Sequence, residues 1–360
     1  MGQLDKIPRT HEQWLTRRRF LGIVASSAVC LGLRSRGGYP MRGKELFSDG
    51  EENLLPVKVG GRYGFIDRNG TVVIEPGYES YEEFGDGLAP VRAGGKWEFI
   101  DTKGAIAIET KFEDTLGFDS GRAPVKMKQG WGAIDPNGNM RIPPIFDSPP
   151  MFYEGLASVG ISGVDGFIDT ESRWAIPARY PRSRPDEKAA TFFREGLAKI
   201  RQRGLSGFID KSGNFVIKPS FQQVSSFSEG FARVGTIGDC HYIDKAGAPV
   251  FPGKMYKLCG LFSEGLAPVM EGRSWGYIDK KGRSVIAPRY RWTLEFSEGL
   301  AFVETESGGS GYIDRDGEMV IRAGNLDIGG AFRGGIAQVM QGDALGYIDR
   351  RGRYIWSPTS

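Results

Sequence analysis

Histidine and cysteine are nearly absent from the sequence. Only His11 and His241 occur, and the first lies in the N-terminal segment, so the body of the chain has one histidine. Three cysteines, Cys30, Cys240 and Cys259, are too few for a disulfide framework. Histidine-based catalytic triads and multi-histidine metal sites are therefore excluded, and we predict no catalytic residue, no metal and no cofactor.

A basic face and a helical pattern are also missing. The formal net charge is +3, but residues 1–36 hold seven Lys/Arg against two acids, a local +5 that leaves about −2 for the remainder. Nucleic-acid binding needs a clustered basic surface, so we expect no nucleic-acid partner. No stretch beyond the N-terminal segment has a sustained 3.6-residue apolar period, so helices should be rare.

The N-terminal segment, residues 1–36, has the pattern of an export signal. Arg17, Arg18, Arg19, Phe20 and Leu21 precede an apolar run that is too short to span about 30 Å of hydrocarbon as a helix. The segment resembles a twin-arginine (Tat) signal, in which Arg17, Arg18, Phe20 and Leu21 are the signal residues. The resemblance implies export of a folded chain to the periplasm, cell envelope or exterior, with membrane contact only through an uncleaved signal. A short buried helix is the alternative.

The rest of the chain consists of repeats. The dipeptide Ile-Asp occurs nine times, at spacings of 34, 34, 34, 41, 34, 35, 35 and 35 residues, and a Gly follows the Asp by three positions in eight units. In a tight hairpin loop an aspartate accepts backbone N–H bonds and a glycine takes the left-handed conformation. We therefore predict that the nine aspartates are turn formers. They are Asp67, Asp101, Asp135, Asp169, Asp210, Asp244, Asp279, Asp314 and Asp349.

The alternation within one unit predicts three short antiparallel strands, for example at 88–92, 97–101 and 105–108. Units of about 34 residues must stack on their neighbours to bury an apolar face. The stack can close into a propeller-like ring or form an open, curved β-solenoid. We slightly favour the open array, because the unit is short for a blade and nine blades would be many. The predicted organisation is a signal at 1–36, a linker with a degenerate first-repeat start at 37–52, and an all-β repeat domain at 53–360.

Three units carry the motif that identifies the repeat. Trp97, Gly130-Trp131-Gly132 and Trp275-Gly276-Tyr277-Ile278-Asp279 resemble the WG (tryptophan-glycine) repeat family, over roughly residues 53–360. The resemblance implies an interaction role without a common ligand. The Trp is replaced in six units and the Gly in two, without a change of register. The replacing residues are Tyr63, Asp165, Ser206, Cys240, Ser310 and Leu345, and Glu98 and His241.

One interruption of the period stands out as a candidate site. The seven-residue excess between Asp169 and Asp210 contains Arg179, Arg182 and Arg184 in a basic, proline-bounded loop. Such a loop can contact an anionic partner, and we predict it as the candidate binding loop, with a tolerated surface insertion as the alternative. The other acids recur periodically in Phe-x-Glu-Gly turns, which favours a repeated structural role.

The sequence thus predicts a non-catalytic binding or scaffold protein that recognises a protein or glycan ligand through its repeat surface. The alternative is an envelope carbohydrate-active protein, which would need two non-periodic carboxylates in a concave site with aromatic walls. Cys240 and Cys259 lie 19 residues apart and could pair if their Cα atoms come within about 7 Å. The sequence leaves this pairing open.

Overall fold

The computed structural model of the protein describes residues 54–109, 112–182, 190–324, 326, 328–342 and 344–359. Across these residues the regular secondary structure is β-strand, with no helix, as the missing 3.6-residue period predicted. None of the described segments is a helix long and apolar enough to cross a membrane. The predicted signal at 1–36, with Arg17, Arg18, Phe20 and Leu21, and the linker at 37–52 lie outside the described residues.

The strands follow the sequence period as nine units. The first four are β1 (Leu55–Val59), β2 (Arg62–Ile66) and β3 (Val72–Tyr78); β4 (Ser80–Tyr81), β5 (Leu88–Ala93), β6 (Lys96–Asp101) and β7 (Ile106–Glu109); β8 (Asp114–Thr115), β9 (Ala123–Met127), β10 (Gly130–Ile134) and β11 (Met140–Phe146); and β12 (Phe152–Tyr153), β13 (Leu156–Ile161), β14 (Val164–Asp169) and β15 (Trp174–Pro181).

The other five units are β16 (Ala190–Arg194), β17 (Leu197–Gln202), β18 (Leu205–Ile209) and β19 (Phe215–Phe221); β20 (Ala232–Val234) and β21 (His241–Ile243); β22 (Leu258–Cys259), β23 (Leu266–Glu271), β24 (Ser274–Asp279) and β25 (Ser284–Thr293); β26 (Ala301–Thr305), β27 (Ser310–Ile313) and β28 (Met319–Gly324); and β29 (Ile328–Gly329), β30 (Ile336–Gln341), β31 (Ala344–Asp349) and β32 (Tyr354–Thr359).

Each unit is an antiparallel meander in which consecutive strands are neighbours. The predicted all-β array of three-stranded units is confirmed, and most units add a short first strand of two residues, such as β4 or β8. The long β25 pairs with both β24 and β26, so the seventh and eighth units share one seven-stranded sheet. Among the described strands no sheet closes into a barrel.

The hydrophobic core lies between units. In one cluster Phe99 and Ile108 of the second unit pack on Phe118, Val125 and Ile134 of the third. A cluster of this kind lies at each of the eight joints along the chain. Every unit therefore buries its apolar side chains only with the help of its neighbours, as a stack of small units requires.

A ninth cluster joins the last unit to the first. Leu55 and Val57 of β1 pack with Leu345 and Tyr347 of β31, and the Tyr347 hydroxyl donates to the Pro56 carbonyl at 2.8 Å. The sequence slightly favours an open array over a closed ring. Among the described strands, no sheet closes on itself. The ninth cluster nevertheless brings the two ends of the array into contact, as in a ring of units. We call this contact the end-to-end joint.

Candidate functional site

Eight of the nine Ile-Asp aspartates lie in the hairpin turn between the last two strands of their unit, and Asp244 lies in the equivalent turn after β21. In the third unit the Asp135 carboxylate accepts the N–H groups of Asn137 at 3.0 Å and Asn139 at 2.9 Å, and the N–H of Gly138 bonds to the Asp135 carbonyl. The same pair of carboxylate bonds recurs at the other eight aspartates. These carboxylates are occupied by their own turns.

The hydrogen bonds set the acidity of several turn aspartates. Burial raises the pKa of Asp135, but bonds from Asn139, Arg141 and Asn137 outweigh it and bring the pKa to about 2. The Thr71 N–H holds the pKa of Asp67 below its usual value, and the Arg173 N–H does so for Asp169. A carboxylate that accepts several N–H bonds stays ionised, so these groups are suited to structure and not to proton transfer.

The periodic glutamates connect neighbouring units. Glu229, in the turn before β20, accepts the N–H of Gly265 in the next unit at 2.9 Å and pairs with Lys280 at 3.1 Å. We call this arrangement the inter-unit clip. It recurs where Glu154 meets Gly196 and Lys211, Glu195 meets Gly230 and Lys245, Glu264 meets Gly299 and Arg315, and Glu298 meets Gly335 and Arg350.

The three arginines of the candidate binding loop differ in their surroundings. Arg182 is buried against Asp165, with Nε 2.7 Å from the carboxylate, in the unit where Asp165 replaces the Trp of the motif. Arg179 donates to the Gly213 carbonyl at 2.6 Å and lies over the Tyr180 ring, as Arg289 does at Gly317 and Tyr290. Both side chains thus have partners within the chain. Arg184 lies outside the described residues.

The tryptophans separate into core and surface. Trp97 and Trp131 are buried, Trp131 at the joint between the third and fourth units, whereas Trp174 is 40% exposed. Trp174 lies five residues after its turn aspartate, and three other units in succession expose a large apolar side chain at that position: Ile106 (54%), Met140 (39%) and Phe215 (38%). Ile106, Met140, Trp174 and Phe215 form what we call the outer row, because each belongs to the outermost strand of its sheet.

Two adjacent glutamates break the periodic pattern of acids. Glu82 and Glu83 follow the short strand β4, at positions taken by Leu116 and Gly117 in the next unit. Burial, together with the charges of Glu83 and Asp114, raises the pKa of Glu82 to about 8. Burial also raises the pKa of Glu83, and that side chain keeps an exposed surface.

This glutamate pair lies beside the end-to-end joint. The charge of Arg333 in the ninth unit opposes the rise in the pKa of Glu83. Burial raises the pKa of Tyr347 in that unit, and the charge of Glu83 adds to it. Tyr81 supplies an aromatic wall, with its ring 4.9 Å from that of Tyr63. Sequence reasoning missed this pair; the available signal was two adjacent acids where the eighth unit has only Glu295 and the units between have none.

The two body cysteines are joined. Cys240 and Cys259 form a disulfide with a Cα–Cα distance of 6.0 Å, within the range that the bond requires. His241 lies next to it in β21, with Nδ1 3.7 Å from the Asp239 carboxylate. No group of three or more potential metal ligands occurs among the residues that the structure describes.

Comparison with known proteins identifies the repeat. The family model described as "WG containing repeat" matches residues 63–97, 99–130, 131–163, 166–205, 207–235, 242–273, 275–307 and 311–343, which is more than half of the chain. No curated protein matches the chain.

Solved structures show similarity of fold at low identity. A crystal structure of a eukaryotic initiation factor has a TM-score of 0.57 at 10% identity, over 84% of this chain and 95% of that one. The designed Ika8 protein has a TM-score of 0.44 at 11% identity, over 74% of this chain and 94% of that one. BamB from Moraxella catarrhalis has a TM-score of 0.35 at 13% identity, over 84% of this chain and 83% of that one. The first value indicates a shared fold, and at such low identity it carries no information about a ligand.

Proposed function

The chain belongs to the WG containing repeat family, and on that premise we propose that it is a non-catalytic scaffold, exported in the folded state, that binds a protein or glycan of the cell envelope. The turn aspartates and the clip glutamates support the non-catalytic part, because their carboxylates are engaged in turns and joints. A stack of repeats offers an extended surface for a ligand, as other repeat arrays do.

The outer row is the observation that carries the binding proposal. A single exposed apolar side chain is ordinary on a protein surface, but four at one position of consecutive units make a repeated apolar surface. The Trp174 ring lies edge-on to Phe146 of the preceding unit, with 6.1 Å between centroids, so the exposed ring is held against the core of its neighbour. An aromatic side chain held in this way suits stacking against an apolar protein surface or a sugar face.

A pull-down from cell-envelope extract tests the outer row. We expect the body of the chain to retain a specific protein or glycan, and W174S/F215S to lose it at least tenfold. The matched control is V285S/V320S, which removes two apolar side chains outside the row that are at least as exposed as Trp174 and Phe215. Equal retention by the two double variants would reject the row as the binding surface.

We include Arg184 in the proposal as the remaining arginine of the basic loop. Arg184→Ala should weaken retention of an anionic ligand several-fold and reduce its salt dependence. Arg179→Ala and Arg182→Ala should instead lower the unfolding temperature, since both side chains bond within the chain. Retention unchanged in Arg184→Ala at low salt would exclude the loop.

Export through the twin-arginine signal is the second part of the proposal, and the disulfide supports it. Disulfides persist in oxidising compartments outside the cytoplasm. Substituting Arg17 and Arg18 together by Lys should keep the chain in the cytoplasmic fraction, whereas substituting Arg34 and Arg36 by Lys should leave export intact. Normal export of the Arg17/Arg18 variant would reject this route.

A carbohydrate-active function is the second candidate, and Glu82 is the observation in its favour. A carboxyl group with a pKa of about 8 is protonated at neutral pH, as a general acid must be. Turnover of an envelope polysaccharide that is lost in Glu82→Gln and in Glu83→Gln would establish this candidate in place of the scaffold. The scaffold proposal predicts no polysaccharide turnover by the unaltered chain or by either variant.

A further inference from the structure

The sixth unit departs from the repeat at several points that lie close together. Its sheet is reduced to two three-residue strands, β20 and β21. Cys240 and His241 stand where the motif has Trp and Gly. The chain beyond β21 forms no regular outer strand and is held by two isolated bridges, Ile243 to Pro249 and Cys240 to Tyr256. The backbone ladder that closes the other units is therefore incomplete here.

The disulfide fastens this irregular region to the seventh unit. Cys259 belongs to β22, the short first strand of the next sheet. Both cysteines are buried in a cluster with Tyr242, Tyr256 and Phe262. In the third unit the motif residue Trp131 occupies the corresponding core position. In the sixth unit a covalent bond takes the place of a packed indole ring.

The segments beside the bond are held by backbone bonds, by two lysine side chains that donate to carbonyls of the seventh unit, and by two buried rings. They carry Ile237 (71% exposed) and Met255 (67% exposed), the most exposed large apolar side chains of the described residues. Their backbone bonds include Gly238 N–H to the Lys257 carbonyl at 2.9 Å, and the reciprocal pair between Cys240 and Tyr256 at 3.0 and 2.8 Å. The two buried rings, Phe251 and Tyr256, belong to the cluster that holds both cysteines, so we expect the segments to open at a lower free-energy cost when the bond is absent.

We propose that the Cys240–Cys259 bond is a redox-controlled fastener of the sixth unit. The oxidised bond orders residues 236–240 and 251–257, and its reduction releases these segments while the other units stay folded. Release exposes the apolar side chains that now pack around the sulfur atoms, Tyr256 among them. The proposal concerns the chain alone and is independent of any ligand.

Formation of the bond requires an external disulfide as oxidant. One cysteine thiolate attacks a sulfur of that disulfide, forms a mixed disulfide and displaces a thiolate. The second cysteine thiolate then attacks the mixed disulfide, closes the Cys240–Cys259 bond and displaces the other thiolate. The two electrons and, through solvent, the two protons of the cysteine thiols pass to the displaced thiolates, which leave as a dithiol or as two thiols. Reduction is the reverse exchange, in which an external dithiol supplies two electrons and two protons and leaves as its own disulfide.

Limited trypsin digestion of the full chain tests the proposal, because Lys254 and Lys257 lie within one releasable segment. Cleavage is mapped by mass spectrometry before and after reduction with a phosphine, and alkylation of Cys240 and Cys259 confirms that reduction is complete. We expect at least tenfold faster cleavage after Lys254 and Lys257 in the reduced chain, with unchanged rates elsewhere. Equal rates in both states, or faster cleavage throughout the chain, would overturn the proposal.

A matched pair of variants isolates the bond from the reductant. C240S/C259S should be cut at the fast rate with or without phosphine. Ser206→Ala changes the same motif position in the fifth unit, a buried residue without a covalent bond, and should keep the response of the unaltered chain. Slow cleavage of a folded C240S/C259S chain would contradict the proposal. If that variant does not fold, reduction of the unaltered chain decides the question.

Discussion

The glycine of the WG pair is required by the strand beside it. A Cβ at Gly132 would overlap the carbonyl oxygen of Ile142 in the outer strand, and Gly64, Gly207 and Gly276 meet the same obstacle. The neighbouring outer strands carry a register shift opposite these glycines, which brings their backbone unusually close. Glu98 replaces the glycine in the second unit, where β6 pairs with β7 and Glu98 lies opposite Glu109 without a shift between Glu98 and Phe99.

Gly132→Ala should therefore lower the free energy of unfolding by about 1–3 kcal/mol, the usual cost of forced overlap in a packed region. Gly77→Ala is the control, because a Cβ there would meet its nearest atom at 3.9 Å. It should change stability by less than about 0.5 kcal/mol. Urea unfolding of the two variants measures both values, and equal stability would contradict the close-approach explanation.

The turn aspartates predict a loss of stability in acid. The folded-state pKa of Asp135 is about 2 and lies below the unfolded value of about 4, so its contribution is fully present above pH 4. That contribution is lost as the pH falls through the folded-state pKa. In Asp135→Ala the urea midpoint should be lower at pH 7 and should fall less steeply between pH 4 and pH 2. A slope equal to that of the unaltered chain would reject this role.

The turn aspartates could be identified from the sequence, because each one occupies the same position in its repeat. Glu82 and Glu83 were not identifiable as a site, since their raised pKa values arise mainly from burial in the folded array, which no pattern within one repeat shows. The partner of Arg182 could not be predicted from the sequence either. A basic residue beside an insertion is expected to be exposed, whereas the fold buries Arg182 against Asp165.

At the scale of the element, the inter-unit clip combines a hydrogen bond with an ion pair. Glu229 has a φ of 53°, a left-handed conformation that costs a non-glycine residue energy. The carboxylate accepts the Gly265 N–H and faces Lys280. The ion pair is partly exposed, and exposed pairs contribute about 0–1 kcal/mol. We therefore attribute the effect of the clip mainly to the hydrogen bond.

Glu229→Ala should cost about 1 kcal/mol of unfolding free energy, whereas Glu229→Gln should cost less, because the amide oxygen still accepts the Gly265 N–H. Lys280→Ala should lower the unfolding free energy by about as much as Glu229→Gln does. Thermal unfolding at low and high salt separates the two contributions. A Gln variant as unstable as the Ala variant would show that charge dominates.

The sequence located the three long strands of each unit but not the short first strand. Two residues such as Ser80 and Tyr81 carry no period that could be recognised. In the sixth unit the third predicted strand does not form, and only β20 and β21 are present. Nor did the sequence indicate that β25 runs on into the next unit, because that depends on pairing with β26. The short first strand and the length of β25 both follow from contacts with a neighbouring strand and not from local preference.

At the scale of the whole molecule, the end-to-end joint repeats the packing of the other joints. Arg68, which follows a turn aspartate, donates to the Gly334 carbonyl of the ninth unit, as Lys211 donates to the Glu154 carbonyl between the fourth and fifth. A Cβ at Gly70 would meet Ile355, as one at Gly104 would meet Ile74 of the preceding unit. The first unit is thus the next neighbour of the last.

Val57→Ala and Leu345→Ala should therefore be energetically coupled although 288 residues separate them. Side chains in one cluster show coupling of about 0.5–3 kcal/mol in a double-mutant cycle. Val57→Ala combined with Val159→Ala of the fourth unit should be additive, because the two lie in different clusters. Urea unfolding provides all the free energies, and additivity of the first pair would contradict an end-to-end joint in solution.

The strand content, the nine-fold period and the turn chemistry follow from the sequence, because these depend on alternation and on glycine and aspartate within a few residues of each other. Three features follow only from contacts between units: the ends meet, Cys240 reaches Cys259, and burial raises the pKa of Glu82. Each of these depends on the angle between successive units, which accumulates along the array. A small change in that angle leaves the sequence pattern of one repeat unchanged and moves the last unit away from the first.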